Sequence, residues 1–474
     1  MSPACKPADA LPMTRYNNVL EMIGNTPIVR VQNLDTGPCE LYLKLESTNP
    51  GGSIKDRIAL HMIEAAEARG ELTPGATLVE GTAGNTGLGL ALVAQAKGYR
   101  LVLVIPDKMS REKIFTLKAM GAEVIITRSD VGKGHPEYYQ DLAQKVAADI
   151  TAEGGRAYFI NQFANPDNPD AHERTTGPEM WSQMDEDLDA VVVGVGSSGT
   201  ITGLSRYFSK VAPSLELVLA DPEGSILADY IATGQVADDA GGWLVEGIGE
   251  DFLPSISDFS RVHTAYSISD RESFEKAREL LEKEGLMGGS STGTLVAAAL
   301  RYCQAQTEPK RVLSMVCDTG NRYLSKVYNA YWLREHGLID GSNYGDLRDL
   351  IARPMASRDA VVVGSHENLA NAYKRMMLYD ISQLPVMENE RIVGLIDESD
   401  ILVAVYEDES RFARPVSSAM VTDLEYIDVG ATIDELLPIF NRDHVAIVMG
   451  EDQFLGLITR IDLLNFLRAR ANRQ

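Results

Sequence analysis

A chain of 474 residues, 45% apolar and 24% charged, has ordinary globular composition and length for about three domains. Its net charge of −24 argues against sequence-independent nucleic-acid binding and against adhesion to anionic membranes, both of which need basic surface. The four cysteines, Cys5, Cys39, Cys303 and Cys317, lie far apart with no C-x-x-C. That is neither a disulfide framework nor a zinc pattern, and a reducing, cytoplasmic compartment is expected.

Residues 1–17 hold no apolar run long enough for a signal peptide or a membrane span and read as an N-terminal extension. From about 20 to 330, short apolar runs alternate with amphipathic stretches. "ATLVEG" (76–81), "YRLVLVIPD" (99–107), "AEVIITR" (122–128), "AVVVGVG" (190–196), "LELVLAD" (215–221) and "RVLSMVCDTG" (311–320) are rich in Val, Ile and Leu without period-two alternation. Strands covered on both faces read this way. Between them, "SIKDRIALHMIEAAEARG" spaces Ile54, Ile58, Met62 and Ala66 four apart, with Gly70 as a C-cap. "NTGLGLALVAQAKG" is apolar almost all round, as a buried helix ending at Gly98 would be. The alternation predicts an α/β fold with doubly wound, mostly parallel sheet, and ligands beyond the carboxyl ends of its strands. "REHGLIDGSNYGDLRDL" (334–350) is polar and Gly-containing and reads as a linker. Beyond it the chain repeats. Segments starting at 353 and 414 each open on Arg-Pro and end on G-L-I-x-x-x-D, with Gly394 and Gly456, and Asp400 and Asp462, 62 residues apart. Two copies of one small unit are expected.

Three Gly-rich turns carry candidate chemistry. "NPGGSIKDR" (49–57) sets Lys55 at the start of a helix. "EGTAGNTG" (80–87) lets backbone N–H groups approach an anion at a helix N-terminus. "GVGSSGT" (194–200) supplies N–H and hydroxyl donors for a phosphate. The ordinary structural reading of each is a tight bend without a ligand. Gly194, Gly196 and Gly199 also spell G-x-G-x-x-G, with Asp221 ending the next strand, so an NAD-dependent dehydrogenase is a rival reading. That reading leaves Lys55 and the 80–87 turn without work.

Taken together and in order, the three turns resemble the pyridoxal-phosphate enzymes of the tryptophan-synthase-β type, within them the cystathionine β-synthase and cysteine synthase branch. "GNTPIVR", "NQFANPDNPDAH", "VEGIGEDFLP" and "GGSSTG" are similar to further segments of that family. The tail from 353 resembles a tandem pair of nucleotide-sensing CBS domains of βαββα type. The resemblance implies a two-lobed catalytic domain over 18–335, a linker over 336–352, and CBS domains over 353–410 and 411–474. It implies β-replacement of serine by homocysteine to give cystathionine, with hydrogen sulfide released when cysteine is the substrate. The alternative is a cysteine synthase using O-acetylserine and sulfide. From another class comes a non-catalytic adenosine-nucleotide sensor on a retired enzyme core.

Carried over by position, Lys55 matches the lysine that holds pyridoxal phosphate as a Schiff base and acts as catalytic base. Gly196, Ser197, Ser198, Gly199 and Thr200 match the phosphate loop, and Asn85 the partner of the ring hydroxyl. Thr319 in "CDTGNRY" matches the neutral hydroxyl facing the pyridine nitrogen. Thr82, Gly84, Asn85 and Thr86 match the seat of the substrate carboxylate, completed by Gln162, and Gly247 a segment that closes over the substrate. Ala83 stands where a second hydroxyl residue is common. Phe163 leans towards cysteine synthase and "VEGIGEDF" towards the synthase of cystathionine. Cys5 has no His near it, and the first His is His61, so no haem is expected; no metal site is expected either. In the tail, Thr459 and Asp462 match ribose-binding residues. In the first repeat Asp400 is the counterpart of Asp462, while Asp397 fills the Thr slot. The resemblance implies an adenosine nucleotide or S-adenosylmethionine as ligand there, and a homodimer or higher homo-oligomer.

Overall fold

Within the computed structural model, residues 15–82, 84–107, 109–237, 240–339, 344–356 and 360–471 are described. The chain divides into two units, Met1–Asn329 and Ala330–Gln474.

The first unit holds two sheets. The larger has the order β1-β2-β10-β7-β8-β9, from β1 (Ile28–Arg30), β2 (Glu40–Leu45), β7 (Ala190–Gly194), β8 (Glu216–Pro222), β9 (Val262–Ile268) and β10 (Arg311–Val316). Only β1 runs antiparallel to its neighbour. The smaller, wholly parallel, has the order β5-β4-β3-β6, from β3 (Thr77–Gly81), β4 (Arg100–Pro106), β5 (Glu123–Thr127) and β6 (Ala157–Phe159). All six expected strands are present. The four not foreseen lack an apolar run. In β2 the burial alternates and Lys44 interrupts it, while β1, β6 and β9 lie at sheet edges.

Helix α1 (Lys55–Arg69) buries Ile58, Met62 and Ala66, and ends on Gly70 in the left-handed conformation (φ 74°). Helix α2 (Asn85–Lys97) is buried nearly all round and ends on Gly98. The two pack closely: a Cβ on Gly89 would lie 2.9 Å from the Lys55 carbonyl oxygen. Their apolar faces meet Leu78, Leu101, Leu103 and Ile105 of the smaller sheet in one core.

In the second unit each repeat folds as strand, helix, two strands, helix. The first uses β11 (Val363–Gly364), β12 (Gln383–Glu388) and β13 (Arg391–Asp397); the second uses β14 (Glu425–Asp428), β15 (Ala446–Gly450) and β16 (Gln453–Ile458). In both, the first pair is parallel and the second antiparallel. Part of the stretch read as a linker is folded. Leu347, Leu350 and Ile351 are buried against Ile427, Leu436 and Phe440 of the second repeat. Among the described residues no helix is long and apolar enough to cross a membrane.

Candidate active site

The site lies beyond the carboxyl ends of β3, β7 and β10, in a cleft of about 380 Å³. Its lining includes Lys55, Thr82, Gly84, Asn85, Thr86, Gln162, Gly196, Ser197, Ser198, Thr200 and Gly247. Residues more than a hundred apart in sequence thus share one cavity.

The turn before Lys55 is laced to the end of β10. Ile54 N–H donates to the Cys317 carbonyl at 2.9 Å, and Thr319 N–H to that of Gly52 at 3.0 Å. Asp56 accepts from Gly51 N–H at 2.5 Å, and a Cβ on Gly51 would lie 2.3 Å from the Asp56 carboxylate. Glycine is required there by contact. Lys55 is the first residue of α1. Burial pushes its ammonium below the usual value, with Cys317, Asp318 and Glu250 opposing. A lowered pKa leaves more free amine, the form that attacks an aldehyde.

At the end of β3, Thr86 O–H donates to Gln162 Oε1 at 2.7 Å, and Gln162 Nε2 to Glu80 at 3.2 Å. Glu80 also accepts from Asn161 N–H at 2.8 Å. Burial raises the Glu80 carboxyl to about 8. Ala83 lies outside the described residues, as does Cys5.

After β7 the chain turns through Ser198 (φ 65°) into the helix Gly199–Val211, whose first N–H groups face the turn. The packing permits no side chain at two positions. A Cβ on Gly196 would lie 2.7 Å from the Gly247 carbonyl oxygen, and one on Gly199 would lie 1.9 Å from Asn168 Oδ1. Asn168 Nδ2 holds Ser197 Oγ at 2.9 Å, and His172 holds Thr200 Oγ1 at 3.2 Å. Burial keeps His172 well below its ordinary pKa, hence neutral. The turn offers a dianionic phosphate backbone and hydroxyl donors at a helix N-terminus. With the amine of Lys55 and the amide of Asn85 in the same cleft, the donor set fits pyridoxal phosphate.

Gly199 and Thr319 do not line the cleft. Gly199 sits one layer back, against Asn168. Thr319 accepts from Asn321 N–H at 3.4 Å, while Cys317 and Met315 face the cavity. The residues whose roles were not foreseen are Asn168, His172 and a half-buried ion cluster. Lys113 Nζ lies 2.5 Å from Glu246, which Lys326 meets from the other side at 2.7 Å. Burial raises the Glu246 carboxyl, but the two ammonium groups outweigh it and the net shift is downward. Asn168 and His172 lie in "NQFANPDNPDAH" and Glu246 in "VEGIGEDFLP", segments that the resemblance marks without giving these residues a role, while Lys113 and Lys326 are single lysines that no local pattern marks.

In the second unit, a cavity of about 480 Å³ is lined by Thr459 and Asp462 with Asp380, Ile381, His444 and Val445. Asp462 accepts from the Thr459 N–H at 2.7 Å and hydroxyl at 2.5 Å. Asp400 does not line it. Asp397 and Asp400 form a capping box at the start of the helix Glu398–Val405, which occupies both carboxylates. Among the described residues no cluster of His, Cys, Asp and Glu is placed to hold a metal ion.

The family model of the pyridoxal-phosphate dependent enzymes matches residues 19–318, and that of the CBS domain matches 348–407 and 416–469. Over 463 residues the chain is 33% identical to cystathionine β-synthase of Apis mellifera, spanning 95% of this chain and 90% of that one. It is 39% identical to cysteine synthase 1 of Neurospora crassa over 323 residues, 67% of this chain and 84% of that one. The O-acetylserine dependent cystathionine β-synthase of Helicobacter pylori superposes with a TM-score of 0.61 at 36% identity, covering 67% of this chain and all of that one.

Proposed function

We propose, from the premise that the chain belongs to the pyridoxal-phosphate-dependent enzymes and within them to the cystathionine β-synthases, that it replaces the β-hydroxyl of serine with the thiol of homocysteine to give cystathionine. The observation that carries this is the single cleft in which Lys55 meets an anion seat on the smaller sheet and another on the larger.

Bound pyridoxal phosphate supplies an aldehyde for amines and a ring that draws electrons from the substrate α-carbon. Lys55 Nζ holds it and, once the substrate amine has taken its place, removes the proton at Cα and later returns it. Thr82, Gly84, Asn85, Thr86 and Gln162 seat the substrate carboxylate, and the segment around Gly247 covers it. Gly196, Ser197, Ser198 and Thr200 hold the phosphate, with Gly199 packed behind them against Asn168, and Asn85 faces the ring oxygen. Lys113, Glu246 and Lys326 offer both signs of charge in the same cleft. That suits a zwitterionic thiol such as homocysteine better than sulfide. With cysteine in place of serine, the same elimination releases hydrogen sulfide.

The second-unit cavity takes an adenosine nucleotide or S-adenosylmethionine, with Thr459 and Asp462 on the ribose. The protein acts in the cytoplasm as a homodimer or higher homo-oligomer. Two measurements test the catalytic reading. The purified protein is yellow, and Lys55→Ala abolishes its visible band; a colourless protein that binds NAD overturns the assignment. The ratio of kcat/KM for serine with homocysteine to that for O-acetylserine with sulfide exceeds one; a ratio well below one makes it a cysteine synthase.

A further inference from the structure

We propose that Asp318 and Arg322 are positioning residues that fix the amide of Asn85, and through it the electron distribution of the bound cofactor; the inference rests on the cofactor reading above. Asn85 is gripped at both ends. Its Nδ2 donates to Asp318 Oδ2 at 2.7 Å, and its Oδ1 accepts from Arg322 Nη1 at 2.9 Å. A side-chain amide carries two N–H donors and one oxygen. With the oxygen covered by a guanidinium and one N–H spent on a carboxylate, the second N–H is left for a ligand. Turning the amide over would set its oxygen against a carboxylate and its NH₂ against a cation. Charge, not shape, therefore enforces the orientation.

Asp318 is built for this. It is fully buried, and the Tyr323 hydroxyl donates to the same Oδ2 at 2.5 Å. Lys113 Nζ lies 3.1 Å from that hydroxyl and reaches on to Glu246, next to Gly247. Asp318 Oδ1 has no hydrogen-bond partner among the described residues, and a Cβ on Gly289 would lie 2.3 Å from it. A buried carboxylate with one unsatisfied oxygen is costly to keep, so its charge needs a use beyond packing. Polarising the Asn85 N–H is such a use. Arg322 also donates to the Gly51 carbonyl, in the turn that presents Lys55, so one guanidinium braces both groups that face the cofactor.

A donor aimed at the cofactor's ring oxygen favours the form with negative charge on that oxygen and the proton on the Lys55 nitrogen, which absorbs in the visible. Without the donor, the neutral form absorbing in the near ultraviolet gains. The test uses the full-length, cofactor-loaded protein without substrate and reads the ratio of the two bands. Asn85→Ala marks the full effect. Asp318→Asn is expected to lower the visible-to-ultraviolet ratio several-fold towards that of Asn85→Ala, and Arg322→Met to lower it less. If Asp318→Asn does not retain cofactor, Arg322→Met alone decides. A ratio that falls in Asn85→Ala but stays at the wild-type value in the other two overturns the positioning role and leaves the cofactor reading intact. A ratio unmoved in Asn85→Ala overturns it as well, because Asn85 then does not face the ring oxygen. A colourless wild type removes the cofactor reading itself.

Discussion

Arg57 sits two residues after Lys55, and its replacement by methionine has a large, calculable effect. Its Nε and Nη2 each lie 2.8 Å from Glu46, and its Nη1 and Nη2 each lie 2.7 Å from Glu179. Glu46 is fully buried and Arg57 is 3% exposed. Methionine keeps roughly the length of the side chain and removes the charge. Among the described residues Glu46 then retains hydrogen bonds from Asn49 Nδ2 and the Thr26 hydroxyl, each at 2.8 Å, and the nearby charge of Lys44, while Glu179 retains Lys44 at 3.0 Å. Removing one partner of a buried ion pair costs about 3–5 kcal/mol. That is a large share of a net stability of about 5–15 kcal/mol. Urea unfolding at neutral pH should show the loss in its midpoint.

The pH dependence of Arg57→Met is the sharper test. In the wild type, burial raises both carboxyls, but Arg57 outweighs it; the net shift of Glu46 is downward and Glu179 falls to about 2 from an ordinary 4.5. Their contribution is present above the ordinary value and is lost as pH falls through the lowered one. In Arg57→Met, burial acts on Glu46 with its main opposing charge gone, so acid relieves the variant by protonating it. The stability gap should narrow below about pH 5, within the carboxyl range. Adding Glu46→Gln to Arg57→Met should recover most of the loss. A loss under about 1 kcal/mol, the scale of an exposed pair, or a gap that does not narrow in acid, refutes the buried-network account.

Glu80→Gln should flatten the alkaline limb of stability. The folded-state carboxyl of Glu80 is raised to about 8 by burial, so its contribution is full below about 4.5 and is lost as pH rises through 8, by roughly 1.4 kcal/mol per pH unit. Thermal melts at pH 6 and pH 9 compare the two proteins, and the variant should be the more stable at pH 9. Gly199→Ala drives a methyl into Asn168, which holds Ser197, at an overpacking cost of about 1–3 kcal/mol. Cofactor titration should show at least tenfold weaker binding. Thr459→Val removes the hydroxyl that bonds Asp462, and calorimetric titration should show adenosine-nucleotide affinity falling several-fold with catalysis unchanged.

The buried strands were legible because coverage on both faces demands continuous apolar runs, as in β7 and β8. Strand β2 was not, because Lys44 sits inside it and is held by Glu179, a partner more than a hundred residues away. That Lys55, Asn85, Ser197, Ser198 and Thr200 share one cleft was legible because each stands in a local Gly-rich turn whose geometry follows from neighbouring residues. Lys113 was not, and of Asn168 and Asp318 the segments were legible but the roles were not. They act through contacts that only the assembled fold creates, such as the bond from Asn85 to Asp318 across 233 positions. Asp400 could have been set aside on local grounds, since Asp397-x-x-Asp400 before an apolar run is a helix-capping pattern.

The central place of β10 governs the order in which this protein can be completed. Strand β2 finds its parallel neighbour only in residues 311–316, which pair on their other side with β7. A nascent chain that has released residues 1–300 therefore carries an open gap in its larger sheet, and the turn before Lys55 lacks its bonds to Cys317 and Thr319. Such long-range closure is slow and leaves strand edges exposed while it waits. Lys55, made early, is seated only after Cys317 and Thr319 leave the ribosome. Chains cut short before that point leave the edges of β2 and β7 that β10 would cover unpaired.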